Sequence, residues 1–240
     1  MYHLFAFCLN IFAFFLPLIN CSEKDCINLD VTITQKIENL GFHRDLNWLV
    51  ETQNLDPKTS ACSVALKLNI GQGMFVNPDQ VDDLRRLKKL DAIIDGIVDI
   101  EAPAHEATKH TVYIFLNGTQ LLDKIALKLP IHLRYQRSLI GGHGKVILNK
   151  PWLLVRCPNS IICGKDRKVS APISSKEAES FVVWKNISYK AQFDEMELLV
   201  PVGNLNDYAY VAIITCILGC AGCVYILSLT TAEDNEDNKK

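Results

Sequence analysis

Two histidines, His105 and His110, come closer to a metal-binding motif than any other pair in this sequence. In a zinc-protease helix the two histidines stand four positions apart, so that both rings leave the same face. Here they are five apart, and at about 3.6 residues per turn the second ring would point about 140° away from the first. Pro103 also favours a loop over a helix. We therefore expect solvated histidines and no metal at this position.

Carboxylates that could hold a metal or act as a general base are also poorly arranged. Asp99 and Glu101 are the nearest pair, but Ile97, Val98 and Ile100 around them predict the edge of a strand. The sequence contains no Gly-x-Ser-x-Gly turn and no credible Cys/His pair. These observations argue against hydrolytic and nucleophilic chemistry.

Two further segments have the letters of a phosphate-handling site without its context. Residues 43–46 (His-Arg-Asp-Leu) spell the opening of a kinase catalytic loop, but Val50 stands where that loop needs an asparagine. The glycine-rich residues 141–144 have no predicted helix behind them to bind phosphate. The sequence therefore predicts no catalytic residue, no cofactor and no metal site.

Apolar segments at the two ends of the chain predict where the rest of it lies. Residues 4–19 form a block typical of a signal-peptide core, although no Lys or Arg precedes it. We predict a signal peptide over residues 1–21, with an uncleaved anchor as the alternative. Residues 208–232 carry no charge and are long enough to cross about 30 Å of hydrocarbon. We therefore expect a lumenal domain over residues 22–207, one transmembrane helix over 208–232 and a short cytosolic tail over 233–240.

Charge and glycosylation motifs agree with a lumenal domain. The chain has 25 basic and 27 acidic residues, and no run of like charges in its middle, which argues against nucleic-acid binding. Two glycosylation motifs begin at Asn117 and Asn186. Either motif could also occur by chance.

Four of the nine cysteines, Cys26, Cys62, Cys157 and Cys163, lie in the predicted lumenal domain. An even number in an oxidising compartment predicts two disulfides, and four cysteines allow three pairings. We favour Cys157 with Cys163 across a short loop, and Cys26 with Cys62. Free buried thiols remain the alternative.

The middle of the chain has the alternating pattern of β-strands. Gly, Pro and Asn separate the runs, and many short strands without long helices between them predict a mainly β domain, an antiparallel β-sandwich. The predicted strands are residues 27–34, 62–70, 111–116, 125–135, 145–148, 152–155, 180–187 and 196–200.

One segment is predicted to be a short helix. Asn77 is a good N-cap and Pro78 suits the first helical position. Val81, Leu84 and Leu87 follow at helical spacing and would form the apolar face.

The predicted membrane helix has small residues on one face. Thr215, Gly219 and Gly222 are four and three positions apart, a spacing that lets two helices approach closely. This face is a candidate contact with a partner helix, although glycine is also common in membrane helices generally.

Residues 129–136 (Leu-Pro-Ile-His-Leu-Arg-Tyr-Gln) resemble a Leu-Pro-(Val/Ile)-His-x-Arg-Tyr element of the PIG-X family. Further elements in the same order as in that family lie at residues 41–46, 73–78, 99–103 and 200–203. The resemblance implies a non-catalytic accessory subunit of glycosylphosphatidylinositol mannosyltransferase I in the endoplasmic reticulum. Its implied partner is a multi-spanning catalytic mannosyltransferase, which adds the first mannose of the glycolipid anchor.

The first of these elements also supplies candidate contact residues. Pro130 predicts a strand that starts at a sheet edge, because proline cannot donate to a strand ladder. Ile131, Leu133 and Tyr135 would then share one face, with His132 and Arg134 on the other. His132, Arg134 and Tyr135 are therefore candidates for partner contact or for maintaining the fold.

The sequence thus predicts a single-pass type I protein of the endoplasmic-reticulum membrane that stabilises a mannosyltransferase and performs no chemistry itself. A single-span cell-surface receptor or adhesion protein is the alternative that signal, glycosylation motifs and anchor would equally permit. A lumenal glycan-processing enzyme is a third reading, weakened by the lack of a carboxylate constellation.

Overall fold

The computed structural model describes residues 26–27, 29–53, 62–116, 124–157, 161–162 and 167–237. The predicted signal peptide, Asn117, Cys163 and the last three residues lie outside these ranges.

The described chain is mainly β, with two α-helices and a short 3₁₀ turn. The 3₁₀ turn, Leu205–Asp207, runs directly into the second helix. The helices are α1 (Pro78–Arg86) and α2 (Tyr208–Asp237). The strands are β1 (Cys26–Ile27), β2 (Asp30–Glu38), β3 (His43–Gln53), β4 (Ser63–Ile70), β5 (Met74–Phe75), β6 (Ala92–Asp95), β7 (His110–Leu116), β8 (Lys124–Leu133), β9 (His143–Leu148), β10 (Trp152–Arg156), β11 (Ile161–Ile162), β12 (Arg167–Pro172), β13 (Phe181–Ile187), β14 (Lys190–Ala191) and β15 (Met196–Pro201).

These strands form two large sheets and two smaller pairs. One sheet has the order β12-β13-β10-β4-β7-β6, and the other has the order β14-β2-β3-β8-β5. Within them every pairing is antiparallel except that of β14 with β2. A ribbon of β9 and β15 and a parallel pair of β1 and β11 complete the domain.

The core lies between the two large sheets. Alternate residues of β4, such as Leu66 and Leu68, are fully buried and belong to the same apolar cluster as Leu46 and Trp48 of β3. Removing apolar surface from water contributes about 25 cal/mol per Å² to folding, which favours this two-layer arrangement. The predicted mainly β, sandwich-like fold is confirmed.

Sequence reasoning missed β3, the longest of the described strands, at 11 residues. Its second half alternates in the expected way, but its first half contains the buried polar residues Arg44 and Asp45. Both are held by partners: Arg44 donates to the carbonyls of Gly41 (3.1 Å) and Leu199 (2.9 Å), and Asp45 pairs with Lys128 at 2.9 Å. Polar residues can be buried when they have partners, and at such positions they interrupt the alternation from which a strand is predicted.

The short helix forms as predicted, although it ends one residue earlier than its apolar spacing suggests. The side chain of Asn77 accepts from the backbone N–H of Asp79 at 2.9 Å, and Pro78 is the first helical residue. Val81 is buried and Leu84 partly buried, whereas Leu87 caps the C-terminus and is largely exposed.

Both preferred disulfide pairings are wrong, because the structure joins Cys62 to Cys157. Strands β4 and β10 are antiparallel neighbours with Ser63 opposite Arg156, so the next rung of the ladder places the two cysteines face to face. Their Cα atoms are 4.2 Å apart although they are separated by 95 positions in sequence. A strand pairing of this range cannot be read from cysteine spacing alone.

Helix α2 includes the predicted membrane segment. The segment Leu205–Thr231 is 27 residues long, none of it is buried, and by length and composition it could cross a membrane. The helix continues to Asp237, into the predicted tail.

Candidate partner-contact site

The candidate residues His132, Arg134 and Tyr135 lie where β8 ends. His132 is opposite His43 of β3 on one side and Phe75 of β5 on the other. Strand β8 begins at Lys124, close to the start of the strand predicted over residues 125–135, so Pro130 lies inside this strand and does not start one. The proline is tolerated inside β8 because β5 pairs only with the last two residues of the strand, which leaves this side of Pro130 at a sheet edge.

The alternation of β8 breaks after Leu133. Arg134 is only 3% exposed and Tyr135 is 76% exposed, so Tyr135 does not share the inward face of Ile131 and Leu133. The backbone N–H of Leu133 donates to Phe42 (2.7 Å), and that of Arg134 donates to Gly73 (2.9 Å). These bonds end the regular ladder and turn the guanidinium inward.

Arg134 holds the loop over residues 97–108 against the sandwich. Its Nη1 donates to the carbonyl oxygens of Asp99 (2.5 Å) and Ala102 (2.7 Å), and the guanidinium lies 4.6 Å from the ring centroid of Phe75. Burial lowers the pKa of Arg134, while the nearby Asp99 raises it. The arrangement is that of a cation used inside the domain to organise a loop.

That loop replaces the strand edge that was predicted around Asp99 and Glu101. The carboxylate of Asp99 accepts from the backbone N–H groups of Glu101 (2.9 Å) and Ala102 (3.2 Å). Such a side-chain-capped turn competes with extended structure. The two carboxylates therefore do not form a metal-binding or acid–base pair.

His132 is half-buried in a row of rings. It stacks on Phe75 with centroids 5.0 Å apart, meets His43 edge-on at 4.8 Å, and its Nε2 lies 2.8 Å from Oε1 of Gln80 in α1. Burial lowers the pKa of His132, and the neighbouring His43 lowers it further. The row connects the three strands β3, β5 and β8 to α1.

Tyr135 is the member of the motif that faces outward. Its ring contacts Phe42 at a centroid distance of 5.0 Å, and its carbonyl accepts from the backbone N–H of Ala104 at 2.9 Å. The backbone is thus fixed while most of the ring stays available to another surface. Of the three candidate side chains, that of Tyr135 is the most exposed.

The two histidines considered first as metal ligands have different environments. His105 lies in the loop and is exposed, whereas His110 begins β7 and is buried, so the expectation that both are solvated is wrong for His110. Nε2 of His110 accepts from the backbone N–H of Val76 at 3.3 Å. Burial, with Arg134 nearby, lowers the pKa of His110 from 6.5 to about 4. Among the described residues, no group of three or more His, Cys, Asp and Glu side chains could hold a metal ion.

The five segments that carry the family resemblance converge at one end of the sandwich. Contacts already described join residues 41–46, 73–78 and 99–103 to residues 129–136. The fifth segment, residues 200–203, begins next to Leu199, whose carbonyl accepts from Arg44. Sequence reasoning did not foresee this meeting, although the collinear resemblance was a signal that these segments act together.

In helix α2 the small-residue face is open. The hydroxyl of Thr215 donates to the carbonyls of Val211 (2.7 Å) and Ala212 (3.1 Å). A Cβ added at Gly219 or Gly222 would meet no neighbouring atom within 4 Å. The face could therefore receive a second helix closely.

Comparison with known proteins gives a consistent result. A family model described as PIG-X / PBN1 matches residues 39–231. A protein of Rattus norvegicus named "GPI alpha-1,4-mannosyltransferase I, stabilizing subunit" is 30% identical over 180 residues, which cover 72% of this chain and 71% of the rat protein. The Homo sapiens protein of the same name is 29% identical over 180 residues, covering 72% of this chain and 69% of its own length.

Proposed function

The chain belongs to the PIG-X / PBN1 family, and from this membership we propose that it is the stabilising subunit of a GPI α-1,4-mannosyltransferase I. It is an accessory protein that leaves the mannosyl transfer to a catalytic partner. The observation that carries this function is the extent of the match: it runs from residue 39 to residue 231, through the sandwich and into the membrane helix.

The geometry of the motif supports a binding role rather than a chemical one. The guanidinium of Arg134 donates to backbone carbonyls, and the ring of His132 contacts Gln80 and two other rings. These contacts give one end of the domain a defined shape, and Tyr135 is presented on it. Aromatic side chains on rigid backbone are frequent anchors of protein interfaces.

We place the sandwich in the lumen of the endoplasmic reticulum, with residues 1–21 as signal peptide and the end of α2 in the cytosol. The disulfide between Cys62 and Cys157 supports an oxidising compartment. Glycosylation at Asn117 and Asn186 is part of this proposal; Asn186 lies in β13 and is partly exposed. The two remaining cysteines, Cys26 and Cys163, are proposed to be oxidised as well.

The partner is proposed to be a multi-spanning membrane enzyme. Helix α2 would cross the same membrane and offer Thr215, Gly219 and Gly222 to one of its helices. Contact would then occur at two places, through the lumenal end with Tyr135 and through the small-residue face.

Depletion of this chain tests the function. The abundance of the catalytic subunit and the amount of GPI-anchored protein at the cell surface should both fall, and re-expression of the wild-type chain should restore both. Unchanged abundance of the catalytic subunit would contradict the proposal.

The localisation is tested separately. Glycans that stay sensitive to a high-mannose-specific endoglycosidase are expected, because the chain stays in the endoplasmic reticulum. Labelling of the chain by a membrane-impermeant reagent on intact cells would instead favour a surface receptor.

A further inference from the structure

The loop between β8 and β9 is joined directly to the residues that begin the membrane helix. The backbone N–H of Leu139 donates to Gly203 (3.0 Å), and that of Leu205 donates to Leu139 (3.2 Å). The side chain of Asn204 accepts from the N–H of Gly141 at 3.1 Å. Helix α2 therefore emerges from the folded domain without a flexible linker.

The tip of this loop is apolar and exposed. Residues 138–142 (Ser-Leu-Ile-Gly-Gly) carry no charge. Ile140 is 77% exposed, and Leu139 and Leu205 are also substantially exposed. Leu139 and Leu205 are hydrogen-bonded neighbours, so these side chains form one apolar patch, and contiguous exposed apolar patches mark contacts with proteins or membranes.

Several backbone groups of the tip already have partners within the protein. Besides the bonds of Leu139 and Gly141, the N–H of Gly142 donates to Leu139 (3.1 Å), and the carbonyl of Gly142 accepts from Val202 (3.0 Å). The two glycines adopt φ values of +87° and +70°, which other residues rarely do. Internal pairing of this kind is what backbone needs in order to enter a layer that is poor in water.

The depth of the tip follows from the length of the helix. The candidate span Leu205–Thr231 has 27 residues, or about 40 Å at about 1.5 Å per residue, and the polar residues Asn206 and Asp207 stand at its beginning. The hydrocarbon is about 30 Å thick, and about 40–45 Å with the headgroup layers. Leu205 therefore falls in the headgroup layer, and Leu139 is hydrogen-bonded to it. Tyr208 and Tyr210 follow at the level where aromatic residues collect.

We propose that the loop tip at Leu139 and Ile140 inserts into the lumenal headgroup layer of the bilayer, as a second membrane contact beside α2. The occupant of this apolar surface is lipid, because the hydrogen bonds to Leu205 hold the tip at the depth of the lipid headgroups. The sandwich then stands on the membrane in one orientation instead of rotating on a tether. The inference depends on α2 crossing the membrane, as in the proposed function.

Tryptophan fluorescence of the full chain in phosphatidylcholine vesicles tests the insertion. The acyl chains carry bromine near their headgroup ends, and bromine quenches only tryptophan that reaches it. The emission added by Ile140→Trp over the wild type should be largely lost in these vesicles and kept in unbrominated ones. Leu139→Trp is the second probe, should Ile140→Trp lower the unfolding midpoint.

Two control variants separate the possible failures. Ile147→Trp occupies an exposed position of β9, about 13 Å farther along the strand from His143, and its emission should be unaffected. Tyr210→Trp, within α2, should be quenched. Quenching at position 210 without quenching at position 140 overturns the insertion. It would indicate that the loop tip contacts a protein and not lipid. Absence of quenching at position 210 overturns the membrane span itself, and equal quenching at position 147 overturns the defined orientation.

Discussion

The guanidinium of Arg134 lies over the ring of Phe75 and binds the carbonyl of Ala102, 32 positions away in sequence. This contact joins β8, β5 and the loop over residues 97–108. The sequence alone left two roles open for Arg134, partner contact and maintenance of the fold. These contacts give it a role inside the domain.

Arg134→Ala is expected to destabilise the domain, not simply weaken partner binding. It removes two hydrogen bonds from the buried guanidinium to the carbonyls of Asp99 and Ala102, which lie in a partly exposed loop, and a hydrogen bond to a charged group contributes up to about 3 kcal/mol. Chemical denaturation of the purified protein measures the effect. Arg137→Ala is the matched control, because Arg137 is exposed and near in sequence. An unchanged unfolding midpoint for Arg134→Ala would contradict the internal role.

Tyr135→Ala is expected to weaken co-purification with the catalytic subunit and to leave the fold intact. Most of the ring is exposed, so the free energy of unfolding should change by no more than about 1.5 kcal/mol, the upper end of the range for one aromatic pair. Phe181→Ala, a partly exposed aromatic residue of β13, is the control. Equal recovery of the partner with both variants would remove Tyr135 from the interface.

The disulfide between Cys62 and Cys157 closes a loop of 95 residues in sequence. Replacing both cysteines by alanine should cost about 2–5 kcal/mol of folding free energy. Mass spectrometry of the unreduced digest should find the linked peptides. A peptide linking Cys157 to Cys163 instead would contradict the strand register. Cys216→Ala, a free and exposed thiol in α2, should leave the stability of the domain unchanged.

The lowered pKa of His110 predicts a loss of stability in acid. In the unfolded chain this histidine takes up a proton near pH 6.5, whereas in the folded protein it does so at about 4. Its contribution to stability is present above pH 6.5 and is lost as the pH falls toward 4, by at most about 1.4 kcal/mol per pH unit.

His110→Asn separates this effect from the titration of carboxylates. The variant should be less stable at neutral pH, and its stability should fall less steeply than that of the wild type between pH 6.5 and about 4. Parallel pH profiles for the two proteins would show that His110 is not the group responsible.

Gly219→Leu and Gly222→Leu are expected to reduce co-purification of the catalytic subunit, because a large side chain prevents close helix approach. Ala221→Leu is the control, since Ala221 points to another face of the helix. The domain outside the membrane should unfold at an unchanged midpoint in all three variants. Loss of the partner with Ala221→Leu alone would place the contact on a different face.

Local pattern was enough to predict much of the architecture. Strands such as β2 and β8 have apolar residues at alternate positions, and α1 has its cap and proline in sequence, so the mainly β class and the single short helix followed from the sequence. The same reasoning failed at β3, where Arg44 and Asp45 are buried with partners that are distant in sequence. It also failed past Leu133, where bonds to Phe42 and Gly73 end the alternation.

The sequence by itself determined the mainly β class, the membrane-length apolar helix and the family, since each depends on residue types or on order along the chain. Tertiary structure alone decided which cysteines meet, that Arg134 faces inward while Tyr135 faces outward, and that five separated segments form one end of the domain. Those outcomes depend on strand register and on hydrogen bonds between residues far apart in sequence. No local pattern of side chains carries that information, because register arises only when the two sheets pack.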